Sequence, residues 1–158
     1  MSESNTPARI RQATAADVDI ILQHRRSMFA DMADGTEGER DAMVATARPF
    51  IEAALRDGSY RAWLLEVDGE VVSGGGVAVV GYQPTPFDPI PRRAWVLNMY
   101  TEPTFRGRGF ARQILEAIIS WCREQGLRAV LLHASEAGRP LYASVGFQPT
   151  NEMRLVLA

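Results

Sequence analysis

Residues 94–111 of the chain have the sequence AWVLNMYTEPTFRGRGFA. The first part is apolar and predicts a buried strand over Ala94–Tyr100. Apolar residues at helical spacing then predict a helix over residues 109–125, and a second apolar run predicts a strand over Leu127–Ala134. Strand, helix and strand in this order form a βαβ unit. Its two strands are therefore expected to be parallel, with a right-handed crossover.

The segments before and after this unit complete a mixed sheet. Asp68-Gly69 is a strong hairpin signal, so the flanking strands, Tyr60–Val67 and Val71–Tyr82, are expected to be antiparallel. Further elements are predicted as follows: strands at Arg9–Ala13 and Arg154–Ala158, and helices at residues 14–32, 39–56 (kinked or divided at Pro49) and 136–145. The fold class is thus α/β, a mixed sheet with helices packed on its faces.

Length and composition are those of one ordinary globular domain. The 158 residues predict a disordered tail over 1–8 and one domain over 9–158. A net charge of −2 gives no support to bulk nucleic-acid binding. The chain has one cysteine and no segment typical of a signal peptide or a membrane span, so we expect a cytoplasmic protein without membrane contact.

The turn between the central strand and its helix has the chemistry of an anion site. A helix N-terminus offers free backbone N–H groups and the positive end of the peptide dipole. Gly107 and Gly109 allow close backbone approach, while Arg106 and Arg108 add positive charge. The predicted ligand is a pyrophosphate. The turn lacks the Gly-Lys-Ser/Thr of a Walker loop and the three spaced glycines of a dinucleotide fingerprint.

Two motifs in this half of the chain resemble those of the GCN5-related N-acetyltransferases. Arg106-Gly107-Arg108-Gly109-Phe110-Ala111 resembles the family's Arg/Gln-x-x-Gly-x-Gly/Ala signature. About thirty residues later, Leu141-Tyr142-Ala143-Ser144-Val145-Gly146-Phe147 is similar to its Leu-Tyr-x-x-x-Gly-Phe hallmark. The resemblance extends to the opening strand and helix at residues 10–17 and covers nearly the whole chain.

The resemblance implies a fold and a co-substrate. The fold is a mostly antiparallel sheet with one parallel strand pair that splays apart, and the co-substrate is acetyl-CoA. Backbone N–H groups of Arg106 to Ala111 would hold its pyrophosphate. A bulge in the central strand, at Asn98, Met99 and Tyr100, would pair with the pantetheine and polarise the acetyl carbonyl. The thioester would lie in the gap between the splayed strands.

The same resemblance implies direct attack of a primary amine on the thioester. Tyr142 would act as general acid toward the leaving thiolate, because a phenol with a pKa near 10 stays protonated at neutral pH. Glu102 is a candidate general base from its place near the end of the central strand. Direct transfer requires no nucleophilic side chain and no metal.

Two other functions stay open, and so does the acceptor. A non-catalytic acyl-CoA-binding regulatory module would share the phosphate loop but lack an organised acceptor pocket. A nucleotide-binding protein would require ATP or GDP to compete with CoA. Small molecule, antibiotic, peptide N-terminus and protein lysine all remain possible acceptors, and a homodimer is common in proteins of this resemblance.

Isolated polar residues are expected to have structural or surface roles. His133, late in an apolar strand, predicts a buried histidine with a satisfied hydrogen bond. Arg25 and Arg26 are expected on a solvated face, and Cys122 is expected to be a buried thiol. The run Ser73–Gly76 indicates strand distortion or a close backbone approach.

Overall fold

The computed structural model describes residues 7–157 of the chain. In chain order its strands are β1 (Arg9–Gln12), β2 (Tyr60–Val67), β3 (Glu70–Gly81), β4 (Arg92–Thr101) and β5 (Val130–Leu131). Its helices are α1 (Val18–Asp31), α2 (Glu37–Asp57), α3 (Phe110–Glu124) and α4 (Arg139–Val145), with short 3-10 turns at Ala15–Asp17 and Pro103–Phe105. Residues 1–6, most of the predicted tail, lie outside the described part.

The strands form one five-stranded sheet in the order β1-β2-β3-β4-β5. The first four strands are antiparallel neighbours, whereas β4 and β5 are parallel, as the βαβ unit requires. The pairing of β4 with β5 is confined to Ala94 with Val130 and Trp95 with Leu131. Beyond these two pairs the strands part, so the predicted α/β fold with a splayed parallel pair is confirmed.

The hairpin between β2 and β3 follows directly from its two turn residues. Asp68 and Gly69 have φ values of 52° and 79°. A two-residue turn of this type requires positive φ at both positions, and its twist matches that of the strands. The turn sets the register in which Val67 pairs with Glu70. In this register, the side chains on one face of β2 pack into one hydrophobic core and those on the other face pack into a second core.

Helices cover both faces of the sheet. One face of the sheet, called the α3 face, is covered by α3. The apolar stripe of this helix packs against alternate residues of β2, β3 and β4, with Ile114, Leu115 and Ile118 fully buried. The α1 face is packed by α1 and α2, with a smaller core formed by Val18, Ile21, Leu22, Ile51, Ala54, Tyr60 and Ala62. Side chains of β2 alternate between the two cores because successive strand residues point to opposite faces.

The prediction that Pro49 divides the second helix was wrong, since α2 is one helix from Glu37 to Asp57. A kink at Pro49 stays a prediction. A proline removes one helical hydrogen bond and leaves the carbonyl four residues earlier unpaired. Here Pro49 and Ala45 are both exposed, so water can satisfy that carbonyl. The helix also begins earlier than predicted, because Thr36 and Glu39 form a capping box.

The predicted end of the sheet was also wrong. β5 is limited to Val130–Leu131 instead of Leu127–Ala134, and residues 154–157 form no strand; Ala158 lies outside the described residues. A two-residue strand offers almost no ladder to which a further strand could pair. The apolar side chains of Met153, Leu155, Val156 and Leu157 are therefore left 78–94% exposed.

Candidate active site

A bulge interrupts β4 at the point where it leaves β5. Gly76 pairs with Leu97 and Gly74 pairs with Tyr100, so Asn98 and Met99 together lie opposite Gly75. Asn98 has a φ of 60°, a conformation that asparagine tolerates better than most residues. The bulge expected near Asn98–Tyr100 is thus present, and it places backbone groups outside the regular ladder.

Hydrogen bonds fix the buried side chain of Asn98 on both sides. Its Nδ2 donates to the Tyr60 hydroxyl at 2.8 Å, and its Oδ1 accepts from Arg25 Nη1 at 2.8 Å. Tyr60 is buried, which raises the pKa of its hydroxyl to about 12. The hydroxyl therefore remains a neutral partner, and the network holds the bulge in one conformation.

The glycines of β3 make room for this network and for the other face of the bulge. A Cβ at Gly76 would overlap the Tyr60 hydroxyl, and one at Gly75 would overlap the sulfur of Met99. The close approach indicated by the run Ser73–Gly76 is therefore real. The side chains of Tyr60 and Met99 occupy the positions that a Cβ atom would take at Gly76 and Gly75.

The turn that follows β4 presents free backbone N–H groups at the start of α3. Gly107 and Gly109 have φ values of 77° and 80°, and a Cβ at either would meet open space. Gly109 caps the helix without a side-chain hydrogen bond, and the first helical bond runs from Gln113 N to Gly109 O at 3.2 Å. The N–H groups of residues 110–112 precede that bond and are available to an anion.

The arginine side chains around this turn make protein contacts. Arg106 donates to Thr101 O at 2.8 Å, pairs with Asp31 at 2.6 Å and lies over the Tyr100 ring. Arg108 lies over the Phe105 ring. Arg112 donates to Ser144 Oγ at 2.6 Å and so links α3 to α4. The positive charge expected from Arg106 is paired with the Asp31 carboxylate at 2.6 Å.

Tyr142 lies on α4 and packs on the α3 face of the sheet. Its ring meets Phe147 edge to face at 5.9 Å, and a Cβ at Gly138 would stand 2.8 Å from Tyr142 Cε2. Gly138 and Phe147 thus hold the ring in place. Burial raises the pKa of the Tyr142 hydroxyl, so it stays protonated at neutral pH. Such a hydroxyl can donate a proton to a leaving thiolate.

Glu102 and Tyr100 lie together on the opposite, α1 face. Burial first, and then the nearby Glu102 carboxylate, raise the pKa of the Tyr100 hydroxyl. Glu102 begins the turn before α3, and its N–H donates to Val72 O at 2.8 Å. The two candidate proton-transfer residues, Tyr142 and Glu102, therefore belong to opposite faces of the sheet.

The structure brings to the bulge two residues of α1, His24 and Arg25, for which no role at the site was predicted. His24 is 1% exposed, its ring lies 5.1 Å from that of Tyr100, and burial lowers its pKa to about 4. Arg25 is half-buried against Asn98, so its expected place on a solvated face was wrong. Arg26 does lie at the surface, paired with Asp41. The sequence signal for Arg25 was only its helical spacing from the core residues of α1.

The histidine prediction was also wrong, since His133 is exposed and contacts Glu152 at 2.9 Å. Cys122 is buried as expected, and burial raises its pKa to about 11. Across residues 7–157, no group of three or more His, Cys, Asp or Glu side chains could hold a metal ion. None of the helices in this part of the chain is long and apolar enough to cross a membrane.

The structure thus combines a mixed sheet, a parallel strand pair joined at two positions, a bulge in β4 and a helix start whose first backbone N–H groups precede the helical hydrogen bonds. The chain belongs to the Acetyltransferase (GNAT) family, whose sequence model matches residues 23–147. The resemblance seen in its two motifs is thereby confirmed.

Similar proteins agree with this assignment. A GCN5-related N-acetyltransferase of Ralstonia eutropha JMP134 superposes with a TM-score of 0.91 at 32% identity, over 96% of this chain and 99% of that one. A predicted acetyltransferase of Clostridium acetobutylicum solved with acetyl-CoA gives a TM-score of 0.87 at 25% identity, over 96% of each chain. The uncharacterized N-acetyltransferase YjgM of Escherichia coli K12 is 28% identical over 89 residues, 54% of this chain and about half (50%) of that protein.

Proposed function

We propose that the protein transfers the acetyl group of acetyl-CoA to a primary amine. The observation that carries this proposal is the open N-terminus of α3, with its free N–H groups directly after a bulged strand. Membership of the family supports acetyl transfer. The acetyl-CoA in the Clostridium acetobutylicum acetyltransferase supports the choice of donor.

The backbone positions the donor. The N–H groups of residues 107–111 hold the pyrophosphate, as the glycine conformations at Gly107 and Gly109 favour, whereas the N–H of Arg106 donates to Pro103 O at 3.3 Å. The pantetheine then extends along the bulge at Asn98, Met99 and Tyr100, where the carbonyl of the thioester meets aimed N–H groups. Because β4 and β5 pair at two positions only, the space between them is open to the thioester.

The chemical step is direct. The neutral amine nitrogen forms a bond to the carbonyl carbon, and the negative charge that develops on the carbonyl oxygen is stabilised by backbone donors. The C–S bond then breaks, and the thiolate takes a proton from the Tyr142 hydroxyl. The proton lost by the amine passes to Glu102, directly or through water. Tyr142 and Glu102 suit these roles because one lies on each face of the sheet.

Thiol release from acetyl-CoA over a broad panel of amines tests the proposal. Amine-dependent release, together with the acetylated product by mass spectrometry, is the expected result. If CoA binds but no amine on the panel is acetylated, the protein is an acyl-CoA-binding module and the proposal fails. Competition of ATP or GDP with CoA would contradict both functions.

We also propose that the chain acts as one cytoplasmic domain over residues 9–158 and forms a homodimer. The support for the homodimer is the row of exposed apolar residues at 153–157. Glu152, directly before this segment, contacts His133, which follows β5 by two residues, at 2.9 Å. A second copy would cover the exposed side chains.

A further inference from the structure

Arg25 is a half-buried cation with no acidic partner. Its Nη1 donates to Asn98 Oδ1 at 2.8 Å, and its guanidinium lies over the Phe29 ring at 5.0 Å. The ion pairs formed within residues 7–157 do not include it. Burial lowers the pKa of Arg25, and the nearby Tyr60 hydroxyl group acts in the opposite direction. Removing such a charge from water without a counterion is costly.

Elsewhere the chain compensates a buried arginine. Arg93 is 8% exposed, and its Nη1 lies 2.9 Å from Oδ2 of the buried Asp88. A guanidinium carries five N–H donors, and within residues 7–157 Arg25 donates one hydrogen bond, to a neutral amide. Since the fold supplies a counterion for Arg93 and not for Arg25, a ligand is the natural source of the missing negative charge.

Arg25 also lines an open groove between α1 and α2. The groove has a volume of about 560 Å³, and Glu39 and Phe50 are among its other lining residues. The Glu39 carboxylate is engaged in capping α2, where its Oε2 accepts from Thr36 N at 2.6 Å. Because the Glu39 carboxylate is held by the N-terminus of α2, the guanidinium of Arg25 is left for a ligand. One guanidinium matches one carboxylate group better than a phosphate dianion.

We propose that Arg25 binds a carboxylate of the acceptor, so that the substrates are primary amines that also carry a carboxylate group. The inference rests on the proposed acetyl transfer. Arg25 contacts the bulge residue Asn98, so a carboxylate bound to it lies beside the expected thioester. A guanidinium can bind a carboxylate through two parallel hydrogen bonds, which fixes the orientation of the attached amine.

Matched pairs of acceptors test this assignment. Each pair is a linear ω-amino carboxylate and its carboxamide, with a methylene chain long enough that amidation leaves the pKa of the amine nearly unchanged. Each compound is titrated calorimetrically into the protein–CoA complex, and its kcat/KM is measured with acetyl-CoA. The preference is the ratio of acid to amide within a pair. It is compared among the wild type, Arg25→Met, Arg25→Lys and the neighbouring control Arg26→Met.

The wild type is expected to prefer the acid about tenfold or more, as for a charge-assisted hydrogen bond. Arg25→Met should bring the ratio close to one, Arg25→Lys should keep part of it, and Arg26→Met should retain it. A general loss of activity or stability in one variant lowers the values for the acid and the amide alike. It therefore leaves the acid-to-amide ratio unchanged.

Equal binding of acid and amide, no binding of either, or a preserved ratio in Arg25→Met would overturn the inference. Failure of the proposed function has a different signature. Acid-selective binding without acetylation would refute acetyl transfer alone, whereas acetylation of amides and acids at equal rates would refute only the role of Arg25.

Discussion

Tyr142 is held by contacts that do not depend on its hydroxyl. Its ring packs against Phe147 and in the space above Gly138, while burial keeps the hydroxyl protonated. Removal of the oxygen atom alone should therefore leave the ring, α4 and the donor site in place. This separation of packing from chemistry makes Tyr142 a clean target for substitution.

Tyr142→Phe is expected to lower kcat by about 100-fold or more, since a general acid contributes that much to a proton-transfer step. The affinity for acetyl-CoA should stay near that of the wild type. Steady-state kinetics and a calorimetric titration measure the two effects. Tyr82→Phe, at a tyrosine that is 58% exposed, is the matched control. Unchanged turnover in Tyr142→Phe would remove Tyr142 from the mechanism.

His24 predicts a pH dependence of stability. Its pKa falls from 6.5 to about 4 on folding, so between these values the unfolded chain binds more protons than the folded protein. The stabilisation of the folded protein that results is fully present above pH 6.5. The free energy of unfolding decreases by about 3 kcal/mol as the pH falls toward 4. Urea unfolding at several pH values measures this loss.

His24→Leu should show a shallower decline of stability over the same pH window, while His133→Leu, at an exposed histidine, should decline like the wild type. The carboxyl groups of the chain affect all three proteins alike. Parallel pH profiles for His24→Leu and the wild type would show that His24 is not held neutral in the folded state.

At the scale of elements, the two ends of α3 offer a matched comparison. Gly109 at the start and Gly126 after the end both have positive φ, 80° and 72°, and a Cβ at either meets open space. Alanine at either position should therefore cost about 1 kcal/mol of stability, because left-handed backbone is strained for it. Only the start of the helix carries free N–H groups.

Gly109→Ala is expected to weaken CoA binding about tenfold, the value of one lost hydrogen bond to a charged group. Gly126→Ala should destabilise the protein similarly and bind CoA as the wild type does. Thermal unfolding and calorimetry together measure both quantities. Equal CoA affinity in the two variants would argue against an anion site at this end of α3.

The elements that sequence patterns predicted well are those fixed by local chemistry. The Asp68-Gly69 turn, the strands it joins and α3 follow from two turn residues and one amphipathic stripe. A helix division was predicted at Pro49 because a sequence pattern does not show solvent exposure. The destabilisation that a proline causes inside a helix depends on that exposure. Residues 154–157 have the composition of a strand, but a strand also needs a partner of sufficient length.

The residues of the candidate site also differ in how well the sequence predicts them, according to whether their environment is local or distant in the chain. The turn at 106–111 and Tyr142 lie in recognisable motifs, and the bulge at Asn98 was expected from the resemblance. His24 and Arg25 acquire their environment from β3 and β4, some 50–75 residues later in the chain. His133 lies in an apolar run and was predicted to be buried, but β5 ends before it and its side chain is exposed.

At the scale of the whole molecule, the uncovered apolar segment predicts association. Light scattering coupled to gel filtration should give the mass of a dimer for the wild type. Leu155→Glu combined with Leu157→Glu should give a monomer, because both side chains are 83% exposed in one copy and would be buried in the dimer. Phe87→Glu, equally exposed at 83% in a loop, should stay dimeric. A monomeric wild type would contradict the proposal.

The central claim is that main-chain N–H groups at the start of α3 bind the diphosphate of CoA. Calorimetric titration with CoA, and with pantetheine as the analogue that lacks the diphosphate, tests it most directly. CoA should bind with affinity at least about tenfold above that of pantetheine, and Gly109→Ala should narrow the difference. No heat with CoA, or equal affinity for the two compounds, would contradict the account.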